Sequence, residues 1–289
     1  MKPAAFEYHV PETVADVVAI VAEHGDEAKV IAGGQSLVPM LSMRLTRFEH
    51  LVDLNRVEEL RGIERSNGDL VVAAMTRQAA AERAPAVAAV PLLQRAIPFI
   101  GHFQIRNRGT VGGSIAHADS ASELPAVTLA LDAELDLVGR GGERRVAASD
   151  FFVGTWTTSL ADDEVLRAVR FPVWEGRCGF SVDEIARRSG DFALAGIVCA
   201  IEVDAADSVR RAAIAYFGMG PTPMRARSAE AALVGSNPSA SDLEEIGRLA
   251  VADCSPAADV HASAEYRTSV GAHLARRAVE RALGEARSG

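Results

Sequence analysis

The chain has 289 residues, of which 48% are hydrophobic, and its 39 acidic and 30 basic side chains give a net charge of −9. A chain of this length and hydrophobicity forms sizeable cores in one or two domains without disulfides or metals. The negative charge and the lack of a basic block argue against a nucleic-acid partner, and no apolar run is long enough to span a membrane.

The three cysteines, Cys178, Cys199 and Cys254, lie far apart in the sequence and show no C-x-x-C spacing. An iron–sulfur cluster requires four protein thiolates or close equivalents, so this chain cannot ligate one alone. We expect reduced, mostly buried thiols in a cytoplasmic protein, because the opening Met1-Lys2-Pro3 does not resemble a secretory signal.

The first 54 residues alternate between strand and helix signals. Thr13 and Asp16 form a capping pair before valines at helical spacing, and His24-Gly25 is a typical helix stop. A strand precedes this helix, and a strand, a short helix and another strand follow it. The predicted strands are 6–10, 29–32 and 50–54, and the short helix is 37–45.

The middle of the chain predicts an antiparallel sheet with helices. Asn67-Gly68 is a strong hairpin signal between two strands, and Thr76 is placed to cap an alanine-rich helix. A further helix ends at Gly101, a second hairpin follows residue 133, and Phe151-Phe152 is expected to join the sheet. The predicted strands are 61–65, 70–74, 134–138, 144–147 and 165–171, and the helices include 91–100 and 124–131.

The pattern changes at about residue 176. Three strand-like stretches are followed by helical segments, which predicts a smaller sheet-plus-helices domain. The strands are 179–186, 192–203 and 210–217, and the helices are 226–233, 241–252 and 262–283. We therefore predict an α+β protein with domains at 1–176 and 177–289.

Two glycine-rich turns carry the functional signal. Val30-Ile31-Ala32-Gly33-Gly34-Gln35-Ser36-Leu37 reads as a buried strand, a turn and the start of a helix, and Thr110-Val111-Gly112-Gly113-Ser114 is a second turn. Gly101, Gly109, Gly112 and Gly113 are expected to interrupt regular structure. Consecutive N–H groups without side chains can hold a phosphate.

A glycine pair alone is first of all a turn or bulge signal, and neither turn matches the G-x-G-x-x-G or G-x-x-x-x-G-K-[ST] motifs. Two such turns about 75 residues apart instead indicate a ligand with two phosphates or a long dinucleotide.

Five motifs in order resemble the FAD-binding medium subunit of the molybdenum hydroxylases, the group of carbon monoxide dehydrogenase and xanthine dehydrogenase. The resemblance covers nearly the whole chain. The motifs are the two glycine turns, Gln104-x-Arg106-Asn107-x-Gly109, Arg187 to Gly196, and His261 to Arg267. It implies an FAD-binding domain of the PCMH/VAO type (a β-α-β start plus an antiparallel sheet), followed by a C-terminal domain of a three-stranded sheet and helices.

The resemblance also implies which residues hold a non-covalent FAD. The main chain of 32–36 and 110–114, with the Ser36 and Thr110 hydroxyls, would hold the diphosphate. Glu123 stands where the family has an acid, more often aspartate, that accepts a hydrogen bond on the adenosine side. The implied contact residues are Val30, Ile31, Ala32, Gly33, Gly34, Gln35, Ser36, Leu37, Ile100, Thr110, Val111, Gly112, Gly113, Ser114, Asp119, Glu123, Leu166 and Phe192.

Several of these residues have alternative roles. Ser36 and Asp119 are also suited to capping a helix, and Ile100 and Leu166 to a plain core. Phe192 would cover the flavin ring by resemblance, or lie in a strand core. Many relatives have a lysine shortly before the Arg187-Arg188 pair; Val182-Asp183-Glu184-Ile185 has none, so either arginine could replace it.

We expect no metal site in this chain, because His102 and His117 lack partners at metal-binding spacing. No local signature suggests a Ser-His-Asp or Cys-His arrangement, so we also expect no catalytic side chain. The resemblance implies an electron-transfer subunit whose partners are a large molybdenum-binding subunit and a small subunit with [2Fe–2S] clusters, arranged as a dimer of heterotrimers. The acceptor would be NAD, a quinone, oxygen or another carrier. The alternatives are a stand-alone flavin oxidoreductase and a scaffold subunit that has lost its flavin.

Overall fold

The computed structural model describes residues 2–239 and 242–289, and four sheets occur in that part of the chain. The strands are β1 Glu7–His9, β2 Ala28–Ile31, β3 His50–Asp53, β4 Ile63–Ser66, β5 Asp69–Ala73, β6 Glu134–Gly139, β7 Gly142–Ala147, β8 Phe152–Gly154, β9 Thr157–Thr158, β10 Glu164–Pro172, β11 Arg177–Ala186, β12 Ala193–Val203, β13 Val209–Phe217 and β14 Met224–Arg225. The helices are α1 Val14–His24, α2 Leu37–Met43, α3 Gln78–Arg83, α4 Pro91–Ala96, α5 Phe103–Arg108, α6 Val111–His117, α7 Glu123–Ala130, α8 Ala148–Phe151, α9 Arg227–Leu233, α10 Asp242–Ala252 and α11 Ala264–Ser288.

The N-terminal sheet is parallel, in the order β1-β3-β2, and α1 packs against it. The predicted capping pair is confirmed at the start of α1, where the Thr13 hydroxyl accepts a hydrogen bond of 3.1 Å from the Asp16 N–H. Gly25 ends this helix at a φ of 54°, a conformation that glycine adopts without a Cβ penalty. The predicted β-α-β start is therefore present, and it places the first glycine turn directly after β2.

The second sheet has five strands in the order β4-β5-β10-β6-β7. The predicted hairpin is confirmed, since Asn67 and Gly68 both have positive φ values, 53° and 88°, as this tight turn requires. The expectation that Phe151-Phe152 would join this sheet was wrong. Residues 148–151 form the turn of helix α8, which buries the Phe151 side chain, and β8 then pairs only with β9.

Two further local predictions were wrong because a distant partner decided the structure. Thr76 does not cap α3; its hydroxyl instead donates to the Gly62 carbonyl at 2.9 Å and accepts from the Gly62 N–H at 3.2 Å. Gly112 and Gly113 do not interrupt regular structure, because both lie in the first turn of α6. The short helix α5 was also not predicted.

The third sheet follows the order β11-β12-β13-β14, so the three predicted long strands are joined by a fourth of only two residues. The long helix α11 covers one face of this sheet. A Cβ atom added at Gly179 would overlap the Ala282 carbonyl oxygen and lie 2.7 Å from the Ala286 nitrogen, so β11 and α11 meet backbone to backbone. Ser241, the predicted first residue of α10, lies outside the described residues.

The predicted domain boundary at 176/177 falls between β10 and β11, and the two sides are packed together. Phe180 and Phe217 belong to the same buried cluster as Leu93 and Leu124. Arg95 on α4 also forms a two-pronged ion pair with Glu285 on α11, at 2.6 and 2.7 Å. Among the described helices, none has the length and apolar character that a membrane crossing needs.

The backbone contact at Gly179 gives a stability test. We expect Gly179→Ala to lower the free energy of unfolding by about 1–3 kcal/mol, because the methyl group would push α11 away from β11. Gly284→Ala on the same helix meets no atom within 4 Å and is the matched control, with an expected gain of up to about 1 kcal/mol. Urea unfolding measures both, and equal stability of the two variants would contradict the assigned contact.

Candidate functional site

The two glycine turns lie side by side in the structure. A Cβ atom added at Gly33 would overlap the Arg108 carbonyl oxygen and lie 2.8 Å from the Gly109 Cα. A Cβ atom added at Gly113 would lie 3.2 Å from the Ala32 Cβ. The sequence predicted that both turns serve one ligand, and this close approach gives them a common surface.

Two polar side chains fasten the turns to each other. The Asn55 amide donates to the Ala32 carbonyl at 3.1 Å, and the Arg77 guanidinium donates both to the Asn55 side-chain oxygen and to the Arg108 carbonyl. The Asp53 carboxylate orients Asn55 by accepting a hydrogen bond of 2.8 Å from its main-chain N–H. Asn55, Arg77 and Asp53 were not candidates from the sequence. Polar residues that follow a buried strand can, however, indicate a binding site.

The Asp53 carboxylate has a second partner on the neighbouring strand. The Tyr8 hydroxyl donates to it, and this hydrogen bond raises the pKa of Tyr8 to about 12. The network behind the turns therefore runs from β1 through β3 to α3 without a break.

The first turn leaves main-chain donors available. Gly34 has a φ of 73°, and in the described part of the chain the N–H groups of Gly34, Gln35 and Ser36 have no protein acceptor. Ser36 is the residue before α2, but its hydroxyl makes no capping hydrogen bond, so its alternative role as a cap is not observed. Three N–H groups and one hydroxyl are therefore free to hold an anion.

The second turn differs from the expectation of free N–H groups. Val111 and Gly112 donate to the Thr76 and Ala74 carbonyls, both at 2.9 Å, while Gly113 donates at 3.0 Å to the hydroxyl of Thr110. Ser114 N–H also bonds within the turn, to the Thr110 carbonyl at 3.1 Å. Thr110 is only 1% exposed and caps α6, and the Ser114 hydroxyl, unpartnered among the described residues, is a side-chain donor that this turn offers.

Glycine is needed at positions 33 and 112 for a different reason from the one predicted. A Cβ atom at Gly112 would overlap Ala74, as one at Gly33 would overlap the Arg108 carbonyl. Protein therefore fills the space at both positions, and they permit packing rather than the approach of a ligand. The unpaired main-chain donors of the first turn, among the described residues, are those of residues 34–36.

Two acidic candidates line the region after α6. Both oxygens of Asp119 accept hydrogen bonds, from the Ala121 N–H at 2.9 Å and the Trp156 indole at 3.0 Å. Ser122 rather than Asp119 precedes α7, so the helix-capping alternative for Asp119 is not observed. Glu123 is buried, and burial, followed by the negative charges of Glu184 and Asp119, raises its pKa to about 8. At neutral pH its carboxyl group is therefore mainly protonated.

The remaining contact candidates differ in burial, and all except Phe192 are buried or half-buried. Ile100 and Leu166 are 9% and 4% exposed and belong to the main core, and Val111 is also fully buried. The β2 residues Val30 and Ile31 and the first residue of α2, Leu37, are half-buried.

Phe192 is 63% exposed on the loop between β11 and β12. A Cβ atom added at Gly190 in that loop would lie 2.5 Å from the His102 ring, so the loop reaches the start of α5 beside the second turn. Arg187 contacts the His261 ring at 2.8 Å, and Arg188 is exposed.

Comparison with known proteins decides the family. Residues 4–174 match the model of the FAD binding domain in molybdopterin dehydrogenase, and residues 180–282 match that of the CO dehydrogenase flavoprotein C-terminal domain. The chain belongs to this family of FAD-binding subunits. The family resemblance and the α+β fold class predicted from the sequence are therefore confirmed. The chain is a component of an oxidoreductase.

Relatives match over almost their full length. The chain is 39% identical to the 6-hydroxypseudooxynicotine dehydrogenase complex subunit alpha of Paenarthrobacter nicotinovorans, covering 99% of this chain and 97% of the relative. It is 37% identical to the carbon monoxide dehydrogenase medium chain of Hydrogenophaga pseudoflava, covering 98% of each. A solved structure of carbon monoxide dehydrogenase from that organism superposes with a TM-score of 0.96, at 38% identity and 99% coverage of both chains.

The residues present fit FAD. A diphosphate needs several oriented donors, and within residues 2–239 and 242–289 the first turn offers three unpaired N–H groups beside the free hydroxyls of Ser36 and Ser114. The chain is thus the FAD-binding medium subunit of a molybdenum hydroxylase of the carbon monoxide dehydrogenase type.

The contact at Gly33 predicts the effect of one methyl group on flavin content. Gly33→Ala should separate the two turns and raise the dissociation constant for FAD at least about tenfold, equivalent to about 1.4 kcal/mol of binding free energy, which lowers the flavin content of the purified chain. Gly141→Ala, where no atom lies within 4 Å, is the matched control and should keep full flavin. An unchanged flavin ratio in Gly33→Ala would disprove the role of this close approach.

The buried Glu123 predicts a pH dependence. Because its pKa is raised from 4.5 to about 8, the folded FAD-free chain binds a proton that the unfolded chain has already released. Stability is therefore greatest below pH 4.5 with respect to this group and falls as pH rises towards 8, by at most about 1.4 kcal/mol per pH unit.

Glu123→Gln should flatten this slope, since glutamine mimics the protonated acid. The measurement is urea unfolding at several values between pH 5.5 and 8.5, with exposed Glu23→Gln as the control that keeps the wild-type slope. Parallel slopes in all three proteins would show that Glu123 does not titrate in this range.

Proposed function

We propose that this chain is the electron-transfer subunit of a heteromeric molybdenum hydroxylase. It takes electrons from [2Fe–2S] clusters on a small partner subunit and passes them to an external acceptor such as NAD, a quinone or oxygen. The observation that carries this proposal is the first turn, whose unpaired N–H groups at residues 34–36 are held beside the second turn. When bound, FAD supplies a redox group that exchanges electrons with donors and acceptors.

The chain's own residues would bind and orient the cofactor. Gly34, Gln35 and Ser36 donate main-chain hydrogen bonds to the diphosphate, and the Ser114 hydroxyl adds a donor from the second turn. The charge of the diphosphate is thus met by neutral dipoles rather than by a buried lysine. The other predicted contact residues remain part of this proposal, with Thr110 and Gly112 acting through the shape of the second turn.

Two side chains would act on the rest of the cofactor. Glu123, protonated because it is buried, would donate a hydrogen bond to a hydroxyl or ring acceptor, which reverses the direction inferred from the sequence. Phe192 would cover the flavin ring and limit access to it, consistent with its exposure and with the position of its loop beside His102. Neither residue would act as an acid or base in the reaction.

The partners would be a large molybdenum-binding subunit and a small iron–sulfur subunit, arranged as a dimer of heterotrimers. The separate subunit names of the relatives support this, since they are called subunit alpha or medium chain. The three cysteines of this chain are free and widely spaced, which is consistent with metal clusters on another chain. The domain division at 176/177 also stands as a proposal.

The test uses the full chain alone and in its complex. We expect the isolated chain to bind one FAD, measured by fluorescence quenching, and to release it intact on acid precipitation, as a non-covalent cofactor does. The complex should contain iron and molybdenum in addition. Failure to bind flavin would leave only the scaffold alternative, and substrate turnover by the isolated chain would favour the stand-alone enzyme instead.

A further inference from the structure

Three histidines meet at the N-terminal sheet, away from the glycine turns. His9 ends β1, His24 ends α1 and His50 begins β3, and one ring nitrogen from each lies within 4.8 Å of the other two. They are 15 and 26 positions apart in the sequence, so no local spacing reveals them. The parallel pairing of β1 with β3, together with the return of α1, brings them together.

The rings are already in contact without a cation. His9 Nε2 and His50 Nδ1 are 3.0 Å apart, and the His24 and His50 rings stack with centroids 3.7 Å apart and an interplanar angle of 11°. The side chains of His9 and His50 are only 19% and 15% exposed. Each imidazole offers one lone pair when neutral, and three neighbouring lone pairs in a partly buried site form a typical ligand set for a transition metal.

A carboxylate completes the set. Glu7 pairs with His50 in the parallel register and lies two residues before His9, so its side chain is on the same face of β1 as His9. Its oxygens are 3.9 Å from His9 Nε2 and 3.7 Å from His50 Nδ1. Three histidines and one glutamate match the tetrahedral N and O ligands that Zn²⁺ accepts in proteins.

The distances require only side-chain adjustment. In a tetrahedral site with Zn–N bonds of about 2.0–2.1 Å, the ligand nitrogens lie about 3.3 Å apart. His9 Nε2 and His50 Nδ1, at 3.0 Å, need to move apart only slightly to reach this separation. Lone pairs of parallel stacked rings do not converge, so His24 has to rotate about its side-chain bonds, which its half-buried position at the end of α1 permits.

We propose that His9, His24 and His50 bind one divalent first-row transition metal ion, with Glu7 as the fourth ligand. Zn²⁺ is the ion used in the test below, and Ni²⁺ and Cu²⁺ also bind to imidazole donors of this kind. The spacing of histidines in the sequence predicts no metal in this chain, and this proposed site departs from that expectation. The ion would join β1, β3 and the end of α1, and so hold the sheet that carries the first glycine turn.

The experiment titrates Zn²⁺ into the full chain, prepared without a polyhistidine tag and stripped of metal. We expect one equivalent to bind by calorimetry, and a rise in the melting temperature that grows with Zn²⁺ concentration. His50→Gln should weaken binding at least about tenfold, since even outer-shell changes have effects of this size. Glu7→Gln should also weaken it, and His273→Gln, an exposed histidine on α11, should bind like wild type.

Two results would overturn the proposal. One is the absence of Zn²⁺ uptake by the wild-type chain, and the other is equal uptake by wild type and a variant with His9, His24 and His50 all changed to glutamine. If that variant does not fold, Co²⁺ bound to the wild-type chain decides instead. The intense visible absorption of four-coordinate Co²⁺ is expected, and the weak spectrum of an octahedral ion would contradict the assigned ligands.

Discussion

The proposed flavin site depends on the close approach of Gly33 to the main chain of Arg108 and Gly109. Two loops that are distant in sequence form one binding surface only when their backbones meet without a side chain between them. The contact places main-chain carbonyl groups away from regular partners, and Asn55 and Arg77 satisfy them. The chain's own hydrogen bonds thus hold the two turns together, which limits the ordering free energy lost on binding.

The sequence predicted best what neighbouring residues decide. The Asn67-Gly68 turn and the Thr13 cap depend on atoms within a few positions, and the long strands of the C-terminal part follow their own hydrophobic pattern. The glycine turns were recognisable for the same reason, as a motif on a short stretch of chain. The element types were therefore predicted correctly even where their ends shifted by one to five residues.

The rest was missed because it depends on distant partners. The hydroxyl of Thr76 donates a hydrogen bond to the Gly62 carbonyl instead of capping a helix. Ala74 packs against Gly112, at the position that was expected to face a ligand. The protonation of Glu123 follows from burial by several elements at once. No local pattern indicates these contacts, since each is fixed only when separate parts of the chain pack together.

Strand β12, inside the C-terminal sheet, is buried on both faces. This burial limits where the protein can be divided. One face packs with Phe180 and Phe217 into the core of the N-terminal part, while the other lies under α9 to α11. Separating the chain near residue 176 would expose a continuous apolar surface, which in water leads to aggregation. The two parts of the flavoprotein are consequently expected to require expression as one chain, even though two family models match separate parts of it.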